Sequence, residues 1–434
     1  MKTPRNPPVK QFTDFLERDL ERGLILASEF NKKYLHWSEV RNRETEGIDP
    51  DAIWSLMVDI RKGIREEIDI GGISIRYSMI NEFQKAIHEI DVGSAAGFLS
   101  RDGIDPKDAK RYSVSSLMEE SIASSIMEGA ATTRKIAKIM LREGRKPKDK
   151  SEMMIVNNYK GMQFIKENKD EDLSPEFILT LHGIMTHGTL HDRKDEGALR
   201  DTDDIVVQNV LTGEISHTPP AHEDLPKLVD ALCVYVNDDA TFTHPLIKGV
   251  IIHFLVAYLH PFVDGNGRTA RSLFYWYMLR KGYSIFEYLA VSRVIGNHRG
   301  KYDDAYVLSE TDDNDITYFI RYNIKIVEES LSEFLKYLDK KINEQKKVEK
   351  EISEQQCLNI RQQMILKDAL SGNPFGIASI QSKYQVSYPT ARADVIKLED
   401  LGFIVKHGVA GNKIMYVRSE PKQPPKVKGE IIIG

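Results

Sequence analysis

Apolar residues recur every three to four positions along most of the chain, which is the spacing of one face of an α-helix. This pattern predicts helices within residues 12–90, 113–127, 151–166, 174–187 and 225–347. Two short stretches alternate apolar and polar positions instead, residues 68–77 around a Gly-Gly pair and residues 204–218 around a Thr-Gly turn, and each predicts a β-hairpin. We therefore expect a mainly α fold with small β elements.

The pattern changes toward the C-terminus. A charged run at residues 344–355 predicts a solvated helix or a linker at a domain boundary. Beyond it, helical stretches are followed by two β-prone segments, which predicts a separate unit. The predicted domains are a mostly helical N-terminal region at 1–111, a helical core at 112–340, a linker at 341–357, the separate unit at 358–418 and a disordered tail at 419–434.

Composition narrows the class of protein without identifying it. The 434 residues are 41% hydrophobic and 29% charged with a net charge of −5, which rules out a collagen or a disulfide scaffold and argues against a coat for nucleic acid. Two distant cysteines indicate a reducing compartment. The N-terminus lacks the apolar core of a signal peptide, and the longest apolar stretch, residues 249–262, is too short to span a bilayer. We expect a cytoplasmic protein without membrane contacts.

One segment, residues 260–271 (HPFVDGNGRTAR), combines groups suited to phosphate chemistry. It lies between two predicted apolar helices. Gly265 and Gly267 allow backbone N–H groups to turn toward a ligand, and the N-terminus of the following helix adds unpaired donors, so the loop predicts an anion pocket. The side chains that complete it are His260 as a base, Asp264 as an oxygen ligand for Mg²⁺, and Arg268 and Arg271 for phosphate oxygens. Together they indicate phosphoryl or nucleotidyl transfer.

Each of these residues alone has an ordinary structural explanation. Asn266 is a suitable helix cap, the two arginines could pair with surface acids, and His260 could be a satisfied loop histidine. The combination favours function. The segment fits the pattern HxFx(D/E)GNGRxxR at every fixed position, and on this motif the chain resembles the Fic family over about residues 112–329.

The resemblance implies a helical core with a β-hairpin flap, and it implies transfer of AMP from ATP to a hydroxyl side chain of a target protein. His260 would take the proton from a target Ser, Thr or Tyr. Asp264 would hold the Mg²⁺ that bridges the α- and β-phosphates. Asn266, with the N–H groups around Gly265 and Gly267, would stabilise charge on the α-phosphate.

The resemblance also implies the outer contacts of the nucleotide and the target. Arg268 would hold the β-phosphate and Arg271 the γ-phosphate, while Tyr302 would lie on the adenine side. The hairpin at 204–218 corresponds to the flap of the family, whose edge can add a strand to an extended target segment. The flap residues implied in docking are Val206, Val207 and Gln208.

A second family pattern, (S/T)xxxE(G/N), fits Ser124, Glu128 and Gly129 upstream of the core. Alone, Glu128 would be a solvated helix residue. Beside the complete motif, the pattern implies an intramolecular brake in which the Glu128 carboxylate pairs with Arg271 and misplaces the triphosphate. We expect Glu128→Gly to raise activity. In some family members the same glutamate supports removal of AMP from the target, which stays an alternative.

Residues 358–418 resemble a winged helix-turn-helix and hold 8 Lys or Arg against 4 Asp or Glu. Such a unit could bind DNA, and a protein-interaction or dimerisation module stays an equal alternative. The leading hypothesis is an autoinhibited protein AMP-transferase. The alternatives are a DNA- or protein-binding regulator that uses the Fic core as a nucleotide sensor, and a Fic enzyme with another donor such as UTP, GTP or a phosphocholine nucleotide. Whether the chain forms homo-oligomers is left open by the sequence.

Overall fold

Helices dominate the structure, as the apolar spacing predicts, and three small antiparallel sheets accompany them. The computed structural model describes residues 17–95, 106–208, 215–353, 357–370, 374–410 and 413–419. These residues divide into two units, a first within residues 1–102 and 109–334 and a second within residues 103–108 and 335–434. In the described part of the chain, no helix is long and apolar enough to cross a membrane.

The N-terminal part of the first unit is helical around one hairpin. Its elements are α1 (Glu17–Lys32), α2 (Trp37–Val40), α3 (Pro50–Lys62), β1 (Arg65–Ile70), β2 (Ile73–Ser78) and α4 (Asn81–Ala95). The predicted hairpin at 68–77 is confirmed and longer, with Ile68 opposite Ile75. Gly71 and Gly72 form its turn with φ of 65° and 99°, a left-handed conformation that glycine adopts without strain.

The rest of the first unit packs helices around two buried central ones. Its elements are α5 (Pro106–Met127), α6 (Arg134–Glu143), α7 (Lys150–Glu167), α8 (Pro175–Thr186), β3 (Val207–Gln208), β4 (Ile215–His217), α9 (Leu225–Asn237), α10 (Pro245–Leu259), α11 (Asn266–Arg280), α12 (Val291–Asn297), α13 (Arg299–Thr311) and α14 (Thr317–Ser353). The central pair is α10 and α11. Every residue is buried from 246 to 256 and from 268 to 279, as expected for helices surrounded by others.

The second unit joins three helices to a three-stranded sheet. Its elements after α14 are α15 (Ile360–Ala369), β5 (Phe375–Gly376), α16 (Ile377–Tyr384), α17 (Tyr388–Asp400), β6 (Ile404–Ala410) and β7 (Lys413–Arg418), with sheet order β5-β7-β6. Ile365, Val395, Leu398 and Ile404 are fully buried in its core. Residues 341–353, predicted as part of a linker, belong to α14. The predicted tail at 419–434 lies outside the described residues beyond Ser419.

Candidate active site

The predicted anion loop joins the two central helices. His260 ends α10 in a left-handed conformation (φ 44°), and Gly265 precedes α11 with φ 89°. A side chain at Gly265 would be strained, since a Cβ there would lie 2.9 Å from Cγ2 of Thr186 on α8. The loop is therefore held against α8, which fixes where the N-terminus of α11 points.

Asn266 closes the loop from inside. Its Oδ1 accepts a hydrogen bond from the backbone N–H of Phe262 (3.0 Å), and its Nδ2 donates to the carbonyl oxygen of the same residue (2.7 Å). Asn266 is the first residue of α11 and lines the cavity described below, while Gly265 takes the cap position. The amide thus shapes the loop, a role that the sequence motif did not reveal.

His182, on α8, is a functional neighbour that sequence reasoning missed. Its ring stacks on Phe262 at 3.7 Å, and its Nδ1 accepts a hydrogen bond from the N–H of Gly197 (3.1 Å). Its Nε2 therefore carries the proton and donates to the carbonyl oxygen of Asp264 (2.8 Å). Burial lowers the pKa of His182 to about 4, so the ring stays neutral. Its two hydrogen bonds hold the loop at Asp264 against α8.

A cavity of about 220 Å³ opens beside this loop. The predicted site residues that line it are Glu128, Val207, His260, Asn266, Gly267, Arg271 and Tyr302, and further lining residues are His217, Ala257, Arg299, Asp303, Tyr306, Val307 and Glu310. Six of these lie on α13 at helical spacing, so one face of that helix forms a wall. The periodicity of the sequence predicted the helix but not which face meets a ligand.

His260 lies at the edge of the cavity. Its Nδ1 lies 3.3 Å from the carbonyl oxygen of Ala257 and must donate to it, which leaves the lone pair on Nε2. Burial lowers the pKa of His260 to about 4, so the imidazole is neutral near pH 7. Arg200, also missed by sequence reasoning, fixes its backbone by donating from Nε to the His260 carbonyl oxygen at 3.0 Å.

Arg271 is almost fully paired by the end of α5. Its Nη2 donates to Oε1 of Glu128 (2.8 Å) and to the carbonyl oxygen of Ser124 (3.2 Å), and its Nε donates to Oγ of Ser124 (3.0 Å). Burial opposes charge on both partners, but their attraction outweighs it: the pKa of Arg271 is raised and that of Glu128 lowered. Gly129 follows the end of α5 with φ 92°.

The Glu128 carboxylate also covers the N-terminus of α11. A Cβ built on Gly267 would collide with Oε1 of Glu128. The carboxylate therefore occupies the position over the first turn where an anion meets unpaired N–H groups and the positive end of the helix dipole. The structure brings together Ser124, Glu128, Gly267 and Arg271, which the sequence places in two distant segments.

Arg268 differs from its neighbour on the same helix. Its side chain is fully buried, and Nη1 donates to the carbonyl oxygen of Met185 at 3.0 Å. Within the described residues, its Nε and Nη2 have no hydrogen-bond partner. The nearest acid is Asp264, whose Oδ1 lies 3.7 Å from Nη2. Burial lowers the pKa of Arg268, and two donors remain free for an anion.

Asp264 is the acid in the loop best placed to bind a metal ion together with a phosphate ligand. Its side chain is 48% exposed and its Oδ1 accepts a hydrogen bond from the N–H of Gly265. No cluster of three or more His, Cys, Asp or Glu that could hold a metal occurs among the residues described. One carboxylate matches the usual mode of Mg²⁺, which takes its other ligands from substrate phosphates and water.

Tyr302 forms part of the cavity wall and is buried. Its hydroxyl lies 2.9 Å from Nε2 of His253 and 3.3 Å from the hydroxyl of Tyr306. Arg299, on the same face of α13, donates from Nη1 to the carbonyl oxygen of Met127 at 3.1 Å. This contact links the cavity wall to the end of α5, next to Glu128.

The hairpin that was predicted as the flap is short and lies beside the cavity. Val207 pairs with His217 and Gln208 with Ile215. Val206 precedes strand β3, Val207 lines the cavity, and the side chain of Gln208 lies outside the described residues, as do residues 209–214 of the predicted hairpin.

The model of the Fic/DOC family matches residues 172–278, which run from before α8 almost to the end of α11. The chain therefore carries a Fic/DOC domain, built around the loop described above. The protein adenylyltransferase Fic of Nematostella vectensis is 32% identical over 120 residues, covering 27% of this chain and 26% of that protein. That of Culex quinquefasciatus is 29% identical over 170 residues, covering 39% and 30%. In both matches the chain spans less than a third of the relative.

Solved structures show the same fold at low identity. A Fic family protein from Desulfovibrio desulfuricans G20 superposes with a TM-score of 0.56 at 16% identity, over 80% of this chain and 98% of that one. Fic-1 from C. elegans gives a TM-score of 0.51 at 17% identity, over 75% and 86%. The mainly helical architecture predicted from the sequence is thus the Fic fold.

Proposed function

We propose that the protein is an autoinhibited adenylyltransferase that moves AMP from Mg-ATP to a hydroxyl side chain of a protein, either a target or itself. One observation carries the proposal: a neutral histidine and a buried arginine with two free donors lie on the loop and helix of a single motif. The relatives named protein adenylyltransferase Fic support the same reaction.

The chemistry follows from the positions of the groups. Nε2 of His260 takes the hydroxyl proton as the oxygen attacks the α-phosphorus. A new P–O ester bond forms, the bond between the α-phosphorus and the bridging oxygen breaks, and pyrophosphate leaves. Arg268, Gly267 N–H and the N-terminus of α11 stabilise the developing charge. Asn266 acts by holding the loop that aims these donors.

Asp264 is the residue that would hold Mg²⁺, because its carboxylate is exposed beside the anion loop. When bound, the ion supplies further neutralisation of the polyphosphate. We propose that Tyr302 and its neighbours on α13 face the base. An extended target segment would add to the edge of β3 near Val206, Val207 and Gln208, which brings its hydroxyl toward His260.

The brake follows from competition for one arginine. A γ-phosphate needs Arg271, which Glu128 and Ser124 already hold, and the Glu128 carboxylate also covers Gly267. ATP therefore meets a negative charge where its own phosphates should lie. Release of Glu128 would open both the arginine and the helix N-terminus.

The test is label transfer from α-labelled ATP with Mg²⁺, using wild type, Glu128→Gly and His260→Ala. We expect weak labelling of protein by the wild type, strong labelling by Glu128→Gly and none by His260→Ala, since a general base contributes roughly 100- to 10,000-fold. Glu143→Gly, at the exposed end of α6, is the matched control and should behave as wild type. Unchanged labelling in Glu128→Gly would contradict the brake, while label from GTP or UTP alone would redirect the donor assignment.

The second unit suggests a second function, since three helices and an antiparallel sheet are the elements that a winged helix-turn-helix needs. Ser387 caps α17 through Oγ, and Tyr388 and Arg392 are exposed at its start. We propose DNA binding as the alternative output. Nanomolar, salt-sensitive binding of the full chain to a specific duplex would support it. Weak, sequence-independent binding would favour a protein-contact role.

The free thiols of Cys233 and Cys357 agree with a proposed cytoplasmic location.

A further inference from the structure

His217 lies on β4 with oxygen acceptors at both ring nitrogens. Its Nδ1 lies 3.2 Å from Oε2 of Glu310, and its Nε2 lies 2.7 Å from the carbonyl oxygen of Tyr258. A neutral imidazole has only one N–H, so it could donate to only one of these acceptors. The geometry therefore indicates a ring that carries both protons and a positive charge.

The surroundings favour this charge although they are buried. The side chains of His217 and Glu310 are 9% and 13% exposed. Burial alone would lower the pKa of His217, but the Glu310 carboxylate and the Tyr258 carbonyl outweigh it, and the pKa is raised. Fully buried His253, whose Nε2 faces a tyrosine hydroxyl instead of an acid, shows the opposite shift, to about 3.

The contacts of His217 connect three walls of the cavity. Tyr258 lies on the last turn of α10, two residues before His260, and its ring packs on His217 at 4.6 Å between centroids. Glu310 lies on the cavity face of α13. On the hairpin itself, His217 pairs with Val207, which lines the same cavity. His217 therefore connects the flap strand directly to the helix that ends at His260.

His217 also acts on the base through its charge. The groups whose charges reach His260 are His217 and Arg200, which disfavour its protonation, and Glu128, which favours it. His217 is thus part of the reason that His260 stays neutral. Glu310 limits the effect, because its negative charge partly cancels that of His217.

We infer that His217 is a positioning residue: an imidazolium held by Glu310 and the Tyr258 carbonyl, it fastens the flap strand to α10 and α13, and its charge adds to the burial that keeps His260 unprotonated. The inference deepens the proposed function, because it assigns a flap contact and part of the electrostatics of the base to one side chain. Its electrostatic part can be measured without any transfer reaction.

The first test uses ring-¹⁵N histidine spectra of the full chain from pH 8 down to about pH 3, assigned with His217→Gln and His260→Ala, because the pKa of His260 is lowered to about 4. We expect His217 to show the shifts of a doubly protonated ring at pH 7, and His260 those of a neutral ring at the same pH. In His217→Gln, the midpoint of His260 should rise by roughly one pH unit, since Glu310 is left unbalanced. The double variant His217→Gln with Glu310→Gln should return His260 close to wild type.

The matched control is His187→Gln. His187 also pairs with a glutamate, Glu196, at 3.2 Å between Nδ1 and Oε2, but its side chain is 71% exposed and does not line the cavity. It should leave the titration of His260 unchanged. A singly protonated His217 at pH 7, or an unmoved His260 in His217→Gln, would overturn the inference. The single variant Glu310→Gln tests the charged state of His217 independently, because loss of the carboxylate should lower the titration midpoint of His217.

The second test separates positioning from simple stability. In the Glu128→Gly background, His217→Gln should raise the KM for a protein target several-fold and move the acid limb of the rate profile upward with the midpoint of His260. His187→Gln should do neither. If no transfer occurs in any variant, the proposed function fails while the spectra still decide the state of His217. An unchanged KM and pH profile alongside normal transfer would overturn the positioning role.

Discussion

Two fully buried arginines in the first unit have opposite surroundings. Arg61 lies where the N-terminal helices meet the corner between α13 and α14, and every nitrogen of its guanidinium has a partner. Nε donates to Asn31 Oδ1 (2.8 Å) and Nη2 to the Leu35 carbonyl oxygen (2.6 Å). Nη1 faces the Tyr318 hydroxyl (2.8 Å) and Asp312 Oδ2 (3.3 Å).

Arg268 is equally buried, but among the described residues its one hydrogen-bond partner is the carbonyl oxygen of Met185. The pKa values follow the difference: burial disfavours charge on both side chains, but the acids and tyrosines around Arg61 raise its pKa, whereas that of Arg268 is lowered. A buried donor without a partner costs about 1–3 kcal/mol. Such a cost is tolerated where a ligand supplies the missing partner, which distinguishes a binding residue from a structural one.

Arg271 stands between these cases. Its Nε and Nη2 have partners, yet these partners, Glu128 and Ser124, lie at the end of α5, where a phosphate could replace the carboxylate. A satisfied arginine can therefore belong to a site if its partner is exchangeable. Arg61 has no such option, because its partners lie on α1, on α14 and in two connecting segments, and none of them borders the cavity.

The largest expected effect comes from Arg61→Met. It would leave Asp312 buried without its nearest cation: the partners that remain are the Tyr318 hydroxyl at 2.9 Å and the Arg65 guanidinium at 3.9 Å. We expect the free energy of unfolding to fall by about 3–5 kcal/mol, measured by urea denaturation. Arg142→Met, at an exposed position on α6, should change it by less than about 0.5 kcal/mol. A loss below 1 kcal/mol at Arg61 would remove the contrast on which the comparison rests.

Arg268→Met should change stability little and should weaken the binding of Mg-ATP instead. The variant removes two unpartnered buried donors and preserves much of the volume, so we expect a stability change of less than about 1.5 kcal/mol. Its affinity for Mg-ATP in the Glu128→Gly background should weaken by about 1.5–3 kcal/mol, as for lost hydrogen bonds to a charged group. Calorimetry measures both quantities. Normal ATP affinity with a large loss of stability would make Arg268 structural like Arg61.

A drop in pH should in a similar way separate the buried neutral histidines from the one that is charged. Burial lowers the pKa of His36 and His253 to about 3 and that of His182 to about 4. The unfolded chain binds protons near pH 6.5 and the folded chain does not, so stability falls as pH falls through that range. From pH 7 to 6 the three together should lose about 2 kcal/mol.

His217 contributes to the pH dependence of stability with the opposite sign. Its pKa is raised, so the folded state binds its proton more tightly than the unfolded state does. Its contribution is complete below the unfolded pKa and disappears as pH rises through the folded one. Denaturation of His217→Gln at pH 7 and 6 should therefore show a steeper loss than in the wild type. An identical slope would contradict the charged state assigned to His217.

The smallest expected effect is on the brake itself. Ser124→Ala removes the acceptor for Nε of Arg271 and leaves Glu128 in place. We expect Ser124→Ala, with Glu128 retained, to label protein up to about fivefold more strongly than the wild type, which corresponds to about 1 kcal/mol. Ser121→Ala is the matched control, since its Oγ donates within α5 to the carbonyl oxygen of Leu117. Equal labelling in both variants would show that Ser124 takes no part in holding Arg271.

Contiguous or periodic features could be predicted from the sequence, because they depend on neighbours along the chain. Helical spacing predicted the mainly α fold, and alternation around Gly71 and Gly72 predicted the first hairpin. The motif at 260–271 predicted a loop between two apolar helices that ends at a helix N-terminus. Helix bounds were less accurate: α5 begins at 106 instead of 113, and the helix expected to end near 347 continues as α14 to Ser353. The charged run at 344–355, predicted as a solvated helix or a linker, is helical as far as Ser353.

Partners far apart in the chain were decided by the tertiary structure. His182 is 82 residues from Asp264, and His217 and Glu310 belong to different elements without a shared pattern. No local periodicity reports such pairs, since the path of the chain sets which side chains meet and how deeply each is buried. The sequence by itself determined which groups are available for phosphate chemistry. Only the packing of α5, α8, α10 and α13 around the loop decided which of them are charged, which are paired and which are left free for a ligand.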